Sequence, residues 1–291
     1  MKQTIKIIGC GFTALFLVII VYGVFIYQSD PYIKALVNNN ETKLFYRPTK
    51  GMQSMHGLNY SENILTVEDS IKIHTYFFNP KSDAKANIFL LRGNSGNTSQ
   101  GKKLIKPLVD NGFRVYSTDW RGYGKSNGIP NYTGVMKDTE MAFLDFLKQT
   151  ENDSIKTIVY GMSLGGQLAV KLTKDNQIEI DALVLDGGLE SAQSFITDNF
   201  QEFYLKPFIK NPEDYNQDYV AVRDITDIEN IPKLIIQSNK DRAVPLERGK
   251  NIFNAAKEPK KFWETNTGHI ETLTHLPNET ILKLNEIIGL K

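Results

Sequence analysis

From residue 86 onward the chain repeats one pattern: a short apolar run, then a longer amphipathic stretch. The runs fall at 86–91, 113–118, 155–160, 180–185, 233–237 and 261–264. Helix-like stretches follow at 102–110, 135–147, 166–173, 247–256 and 279–288. Strands that are apolar throughout are buried on both faces. Their alternation with helices calls for a mostly parallel sheet covered on each side. Runs at 63–67 and 71–77, joined by Glu68-Asp69-Ser70, read as an antiparallel hairpin ahead of that sheet. In the second helix, Met141, Leu144 and Leu147 are expected on one face. The rhythm breaks at about 191–230, where Phe195, Phe200, Phe203, Tyr204, Phe208, Tyr215 and Tyr219 gather. This segment is expected to be a small helical cap, its aromatics lining an apolar pocket or forming a packing face.

With 291 residues, the chain can bury one full core. A hydrophobic fraction of 41% and a charged fraction of 23% exclude disorder. Thirty-four basic and 33 acidic residues, net +1, give no electrostatic footprint for nucleic acid. Cys10 is the single cysteine, so no intrachain disulfide can form. The four histidines, His56, His74, His269 and His275, do not have metal-site spacing. No metal or cofactor is expected.

Residues 7–29 carry no charge and are mostly Ile, Leu, Val, Phe and Ala. About 20 such residues cross the ~30 Å hydrocarbon layer as a helix. A cleaved signal peptide has a shorter apolar stretch and a small-residue cleavage site. The lipobox-like Ile7-Ile8-Gly9-Cys10 precedes the apolar stretch instead of following it. A buried soluble helix would show a polar face, and this one has none. The expectation is a single-pass anchor over 1–27, a polar connector over 28–60 with room for a short helix, and one catalytic domain over 61–291. Lys2 and Lys6 favour a cytoplasmic N-terminus with the domain outside, a bias diluted by Lys34 and Lys43.

Gly161-Met162-Ser163-Leu164-Gly165 follows a strand-like run and opens a helix-like one. This is the context that a G-x-S-x-G nucleophile turn requires. Glycines leave room for the tight turn, and the serine hydroxyl then sits above a helix N-terminus that favours negative charge. A serine needs a base, and the base needs a carboxylate to orient it. With such a turn the chain order is Ser, acid, His. His269, in a loop just past the last strand, fits; His275 lies in a surface turn and is the weaker candidate. Asp241 follows the strand at 233–237, and Asp186 and Asp119 are its rivals. The oxyanion needs two backbone donors, here the amides of Leu164 and of Asn94 in the Gly-rich loop after the first parallel strand.

Together these segments resemble the α/β-hydrolase superfamily, and within it the membrane-anchored single-domain serine hydrolases called serine aminopeptidase-like or lysophospholipase-like. The resemblance runs from about residue 63 to the C-terminus. It rests on Arg92-Gly93-Asn94-Ser95-Gly96-Asn97, on Asp119-Trp120-Arg121-Gly122-Tyr123-Gly124-Lys125-Ser126, on the turn at Ser163, on Asp241-Arg242-Ala243-Val244-Pro245 and on Gly268-His269. The second motif implies a structural role for Asp119 and Arg121. The family usually carries His where Arg92 stands and often Gly where Ser238 stands; Arg92 brings a larger, permanent charge that can attract an anion.

The expected reaction is cleavage of an ester-type acyl substrate, small or lipid-like, through a Ser163-Asp241-His269 triad and an acyl-enzyme. Amide cleavage or acyl transfer on the same triad is one alternative. A catalytically silent hydrolase fold used for binding at a membrane is the other.

Overall fold

The computed structural model describes residues 2–290, with side chains described from Leu15 onward. Helix α1 runs Lys2–Ser29. The side chains of residues 2–14, half of the expected anchor, lie outside those described. Among the described residues no single helix is long and apolar enough to cross a membrane. The part from Leu15 to Ser29 passes that test only jointly with the next helix, from which it is bent by 94°. Side chains from Leu15 to Phe25 are largely exposed.

The stretch after α1 is more structured than its polar composition implies. Asp30 caps α2, Pro31–Val37, by accepting the amides of Tyr32 at 2.7 Å and Ile33 at 3.1 Å, with proline at the first helical position. Asn40 caps α3, Glu41–Phe45, through the Lys43 amide. Ile33, Leu36, Leu44, Phe45 and Tyr46 are all buried in the main core. Strand β1, Arg47–Pro48, then lies parallel to the two-residue strand Ser95–Gly96.

The central sheet begins with the expected hairpin, β2 at Asn59–Glu68 and β3 at Ile71–Asn79. The chain continues through β4 (Ala86–Leu91), the short β5 (Ser95–Gly96), α4 (Lys102–Asp110), β6 (Phe113–Asp119) and α5 (Tyr132–Thr150). Next come β7 (Lys156–Met162), α6 (Leu164–Asp175), β8 (Ala182–Asp186), α7 (Ala192–Asn199) and α8 (Ala221–Asp224). It closes with β9 (Lys233–Ser238), α9 (Leu246–Ala255), β10 (Lys260–Thr265), α10 (Thr272–His275) and α11 (Pro277–Ile287). The eight strands lie in the order β10-β9-β8-β7-β4-β6-β3-β2, parallel from β10 to β6 and antiparallel at β3 and β2.

Residues of β4 alternate between two cores. Phe89 and Leu91 join α5 and α6 on one face; Ile88 and Leu90 join α4 and α11 on the other. Burying each such side chain contributes about 1.5–3 kcal/mol. Of the apolar stripe on α5, Met141 and Leu147 pack half-buried against the core. Leu144 is 57% exposed, while Phe143 and Phe146 turn inward, their rings 5.2 and 5.4 Å from that of Phe89. The larger aromatic side chains take the inner stripe because they bury more apolar area. The segment between β8 and β9 holds α7, α8 and several one-turn helices, as expected of a cap.

Candidate active site

Ser163 sits between β7 and α6 with φ 52° and ψ −122°. Non-glycine residues avoid this region, at a cost of about 1–3 kcal/mol. The turn is held from below, where the Ser163 amide donates to the Asp186 carbonyl at 3.0 Å and the Ser163 carbonyl accepts the Gly166 amide at 2.9 Å. Close packing explains the flanking glycines. A Cβ on Gly161 would lie 2.5 Å from that of Ala169, and one on Gly165 would run into the carbonyl oxygens of Leu91 and Arg92.

His269 lies in the loop between β10 and α10, and Asp241 in the loop after β9. These neighbouring parallel strands bring residues 28 positions apart into contact, with the His269 Nδ1 2.6 Å from Asp241 Oδ2. Asp241 Oδ1 accepts the amides of Ala243 at 2.9 Å and Val244 at 2.8 Å, and Gln237 Nε2 donates to Oδ2 at 3.2 Å. Both carboxylate oxygens are thereby oriented, and an imidazole Nδ1–H is fixed toward the acid. Ser163 and His269 line the same cavity. A Cβ at Gly187, whose φ is +61°, would press on the imidazole at 3.1 Å.

Asn94 stands beside Ser163 in that cavity. Its side chain donates to the Phe45 carbonyl at 2.7 Å, and its own carbonyl accepts from Tyr123 Oη at 2.6 Å and the Arg47 amide at 2.9 Å. Among the described residues, neither the Asn94 amide nor that of Leu164 donates to a protein acceptor. Two free N–H groups beside a serine are what a developing oxyanion requires.

Arg92, next in the same loop, is buried and donates through Nη2 to Asp119 Oδ1 at 3.1 Å. Burial pushes its guanidinium pKa down, an effect the Asp119 charge opposes. Arg92 Nε and Asp119 Oδ2 have no partner among the described residues. Asp119 also accepts the Thr98 amide at 2.6 Å, while Arg121 grips Asp138 through Nη2 at 2.7 Å and Nε at 3.0 Å. Both residues therefore brace loops. His74 pairs with Glu62, His275 stands exposed near Glu271, and the His56 side chain makes no hydrogen bond among the described residues.

Asp186 is drawn neither to Ser163's side chain nor to the imidazole. Its buried carboxyl accepts from the Thr272 hydroxyl, and from Tyr160 Oη at 3.2 Å. Burial raises its pKa to about 6, against the lowering effect of those donors and of His269. Ser238 donates to the Thr267 carbonyl, tying the acid-bearing loop to the histidine-bearing loop.

The cavity over Ser163 holds about 400 Å3 and is walled by Phe195, Phe200, Tyr204 and Leu205 of the cap. Tyr215 and Tyr219 face inward as core, so the cap's aromatics serve both expected uses. The sequence pattern does not single out Asn199, Glu202 and Leu205 of the cap, nor Tyr32 and Arg47, which come from the segment read as a connector. Tyr32 packs edge-on against Phe200 at 5.5 Å. The Asp30-Pro31 cap signal was the available clue to the helix that carries it.

Comparison with known proteins bears on these features. Residues 82–206 match a family model described as serine aminopeptidase, S33, a stretch that includes Ser163 and stops short of Asp241 and His269. The chain is 26% identical over 201 residues to the uncharacterized protein YfhR of Escherichia coli K12, covering 67% of this chain and 68% of that one. It is 29% identical over 189 residues to the lysophosphatidylserine lipase ABHD12 of Xenopus tropicalis, covering 58% of this chain and 46% of the lipase. Its fold superposes on an esterase of Pyrococcus furiosus with a TM-score of 0.67 at 19% identity, covering 84% and 97% of the two chains.

Proposed function

We propose that the chain is an enzyme of the α/β-hydrolase superfamily, a serine esterase acting on lipid-like acyl esters, a reading supported by the family match, the lipase relative and the shared fold. The observation that carries this reading is the His269–Asp241 contact at 2.6 Å beside a cavity that Ser163 also lines. Ser163 Oγ attacks the acyl carbonyl and its proton passes to His269 Nε2. Asp241 holds the ring and stabilises the imidazolium. The Leu164 and Asn94 amides receive the oxyanion, each worth roughly 3 kcal/mol of barrier. The proton then goes to the leaving alcohol, and water releases the acyl group by the reverse steps. Phe195, Phe200 and Leu205 in the cap wall support an acyl chain as occupant, and so does the lipase among the relatives.

A fluorophosphonate probe tests the assignment. Wild type should label and Ser163→Ala should not. Labelling of both proteins would move the nucleophile elsewhere, and labelling of neither would reject a competent triad. One observation favours a second reading, amide cleavage: Glu202 lines the cavity, where a carboxylate could hold a substrate's free ammonium. A matched pair of esters and aminoacyl amides separates the two.

For location, we propose that α1 anchors the domain to a membrane in a single pass, with the N-terminus cytoplasmic. Its exposed apolar side chains from Leu15 to Phe25 support this. Full-length chain should sediment with membranes and a chain lacking residues 1–29 should not. If both stay in the supernatant, the anchor is wrong.

A further inference from the structure

The peptide that joins Gly93 to Asn94 lies close against the nucleophile. A Cβ on Gly93 would stand 3.3 Å from Ser163 Cβ and 3.8 Å from its Oγ. The N–H of that peptide is the Asn94 amide, which donates to no protein acceptor among the described residues. Such a donor helps an oxyanion only if its direction is fixed before the reaction begins. The loop does not fix it unaided. Its short strand β5 is no part of the central sheet and pairs only with β1, in a sheet of two strands.

Residues 45–51 run beside this loop as a strap. Asn94 Nδ2 donates to the Phe45 carbonyl at 2.7 Å, and the Arg47 amide donates to the Asn94 carbonyl at 2.9 Å. Arg47 then pairs with Ser95, and Pro48 with Gly96. Farther along, the buried Asn97 donates through Nδ2 to the Thr49 and Gly51 carbonyls at 3.0 and 2.9 Å. The loop after β6 holds the strap from a third side, where the Gly124 amide donates to the Thr49 carbonyl at 2.9 Å. Tyr123 stands where the three segments meet. Its Oη donates to the Asn94 carbonyl at 2.6 Å and accepts the Arg47 amide at 3.3 Å. Its ring is 1% exposed and packs edge-on against Trp120, the centroids 5.8 Å apart. A buried, well-packed phenol is thus bonded to the very residue that carries the oxyanion donor. Among the described residues Tyr123 does not line the cavity over Ser163.

We propose that Tyr123 is a positioning residue for catalysis: together with the strap at residues 45–51, its hydroxyl aims the Asn94 amide at the oxyanion. The proposal rests on the hydrolase reading above. Asn94 is gripped at its side chain and at its carbonyl, so its amide is left as the one free group with a set direction. Tyr123 acts through Asn94 and not on the substrate. Without the hydroxyl the donor is still present but swings, and the oxyanion is met less well while the bound ester is held as before. A phenol that merely satisfied two backbone groups would affect stability alone.

The test uses purified full-length protein in detergent, nitrophenyl butyrate as substrate, and an alkyl trifluoromethyl ketone. Ser163 adds to the ketone reversibly and leaves an oxyanion in the same place. Tyr123→Phe keeps the ring and removes the hydroxyl. Its kcat should fall by about ten-fold, less than the roughly 100-fold that follows outright loss of a donor, with KM unchanged. Affinity for the ketone should fall by the same factor as kcat/KM, because both depend on the oxyanion. Asn94→Ala keeps the amide but loses the tie to Phe45, and should lower kcat in the same way. The double variant should lose less than the product of the two single losses, since both loosen one peptide. Unchanged kcat in Tyr123→Phe, even with a lowered denaturant midpoint, overturns the proposal. So does a rise in KM in place of the fall in kcat, or ketone affinity that does not follow kcat/KM. If Tyr123→Phe does not fold, Asn94→Ala decides by the same kcat and ketone measurements. Wild type that hydrolyses no ester and takes no fluorophosphonate label sinks the esterase reading itself, a result distinct from active enzyme indifferent to the Tyr123 hydroxyl.

Discussion

Asp186 should make the stability of this protein fall as pH rises through the mildly acidic range. Its carboxyl is buried, and its folded-state pKa stands at about 6 against 3.8 for the free group. Below pH about 4 the carboxyl is protonated in both states and has no effect. Between about 4 and 6 the unfolded chain releases the proton while the folded chain keeps it, so folding loses ground with each step upward. Above about 6 both states are ionised and the full penalty stands. A gap of roughly two units corresponds to about 3 kcal/mol. In Asp186→Asn the amide carries no charge at any pH, and its oxygen can still accept from Thr272 or Tyr160. The variant should therefore gain on wild type by about 3 kcal/mol between pH 4 and pH 7.5. Urea unfolding of both proteins in detergent, followed by tryptophan fluorescence across that range, measures the difference directly. A difference that stays flat with pH, or that shrinks toward neutrality, would refute the argument that desolvation dominates the environment of this carboxyl.

Four further outcomes follow from the geometry. Gly165→Ala pushes a Cβ into the Leu91 and Arg92 carbonyls, and thermal unfolding should show a loss of about 3 kcal/mol or more. Arg121→Met leaves Asp138 buried without its partner and should cost about 3–5 kcal/mol, much of it restored in Arg121→Met/Asp138→Leu, as read by denaturant midpoints. Asp241→Asn keeps acceptors for the Ala243 and Val244 amides but mis-sets the imidazole, so kcat should drop by about 10⁴ with the melting temperature little changed. Phe195→Ala removes part of the cap wall and should raise KM for long-chain esters by about ten-fold while sparing acetate esters, as a chain-length series would show.

The strands were legible because a strand buried on both faces writes itself as an unbroken apolar run. Residues 86–91 and 102–110 match β4 and α4 to the residue. The tight turn at Ser163 was legible for a local reason, since the crowding around Gly161 and Gly165 admits no side chain. The meeting of Asp241 and His269 was legible because each follows a strand at the same edge of the sheet. What escaped depends on distance in the chain. Residues 31–46 look like polar linker, yet their apolar members meet helices more than a hundred positions away. Which stripe of α5 is buried deepest was not legible, because periodicity alone does not tell which of two overlapping stripes carries the larger side chains. The ties of Thr272 to Asp186 and of Ser238 to Thr267 join loops through single hydroxyls, and no local pattern announces them.

The segment that supplies Tyr32 has a mechanical consequence. Tyr32 walls the cavity over Ser163 and lies three residues beyond the end of α1. Three residues of chain reach about 11 Å at full stretch, and here they are wound tighter by the capped turn at Asp30. The apolar helix is thus on a short leash to the place where the acyl chain would lie. A bilayer that held α1 would hold the cavity mouth within reach of its own headgroups. Turnover would then follow how densely substrate populates that surface and be nearly indifferent to how much floats free in solution.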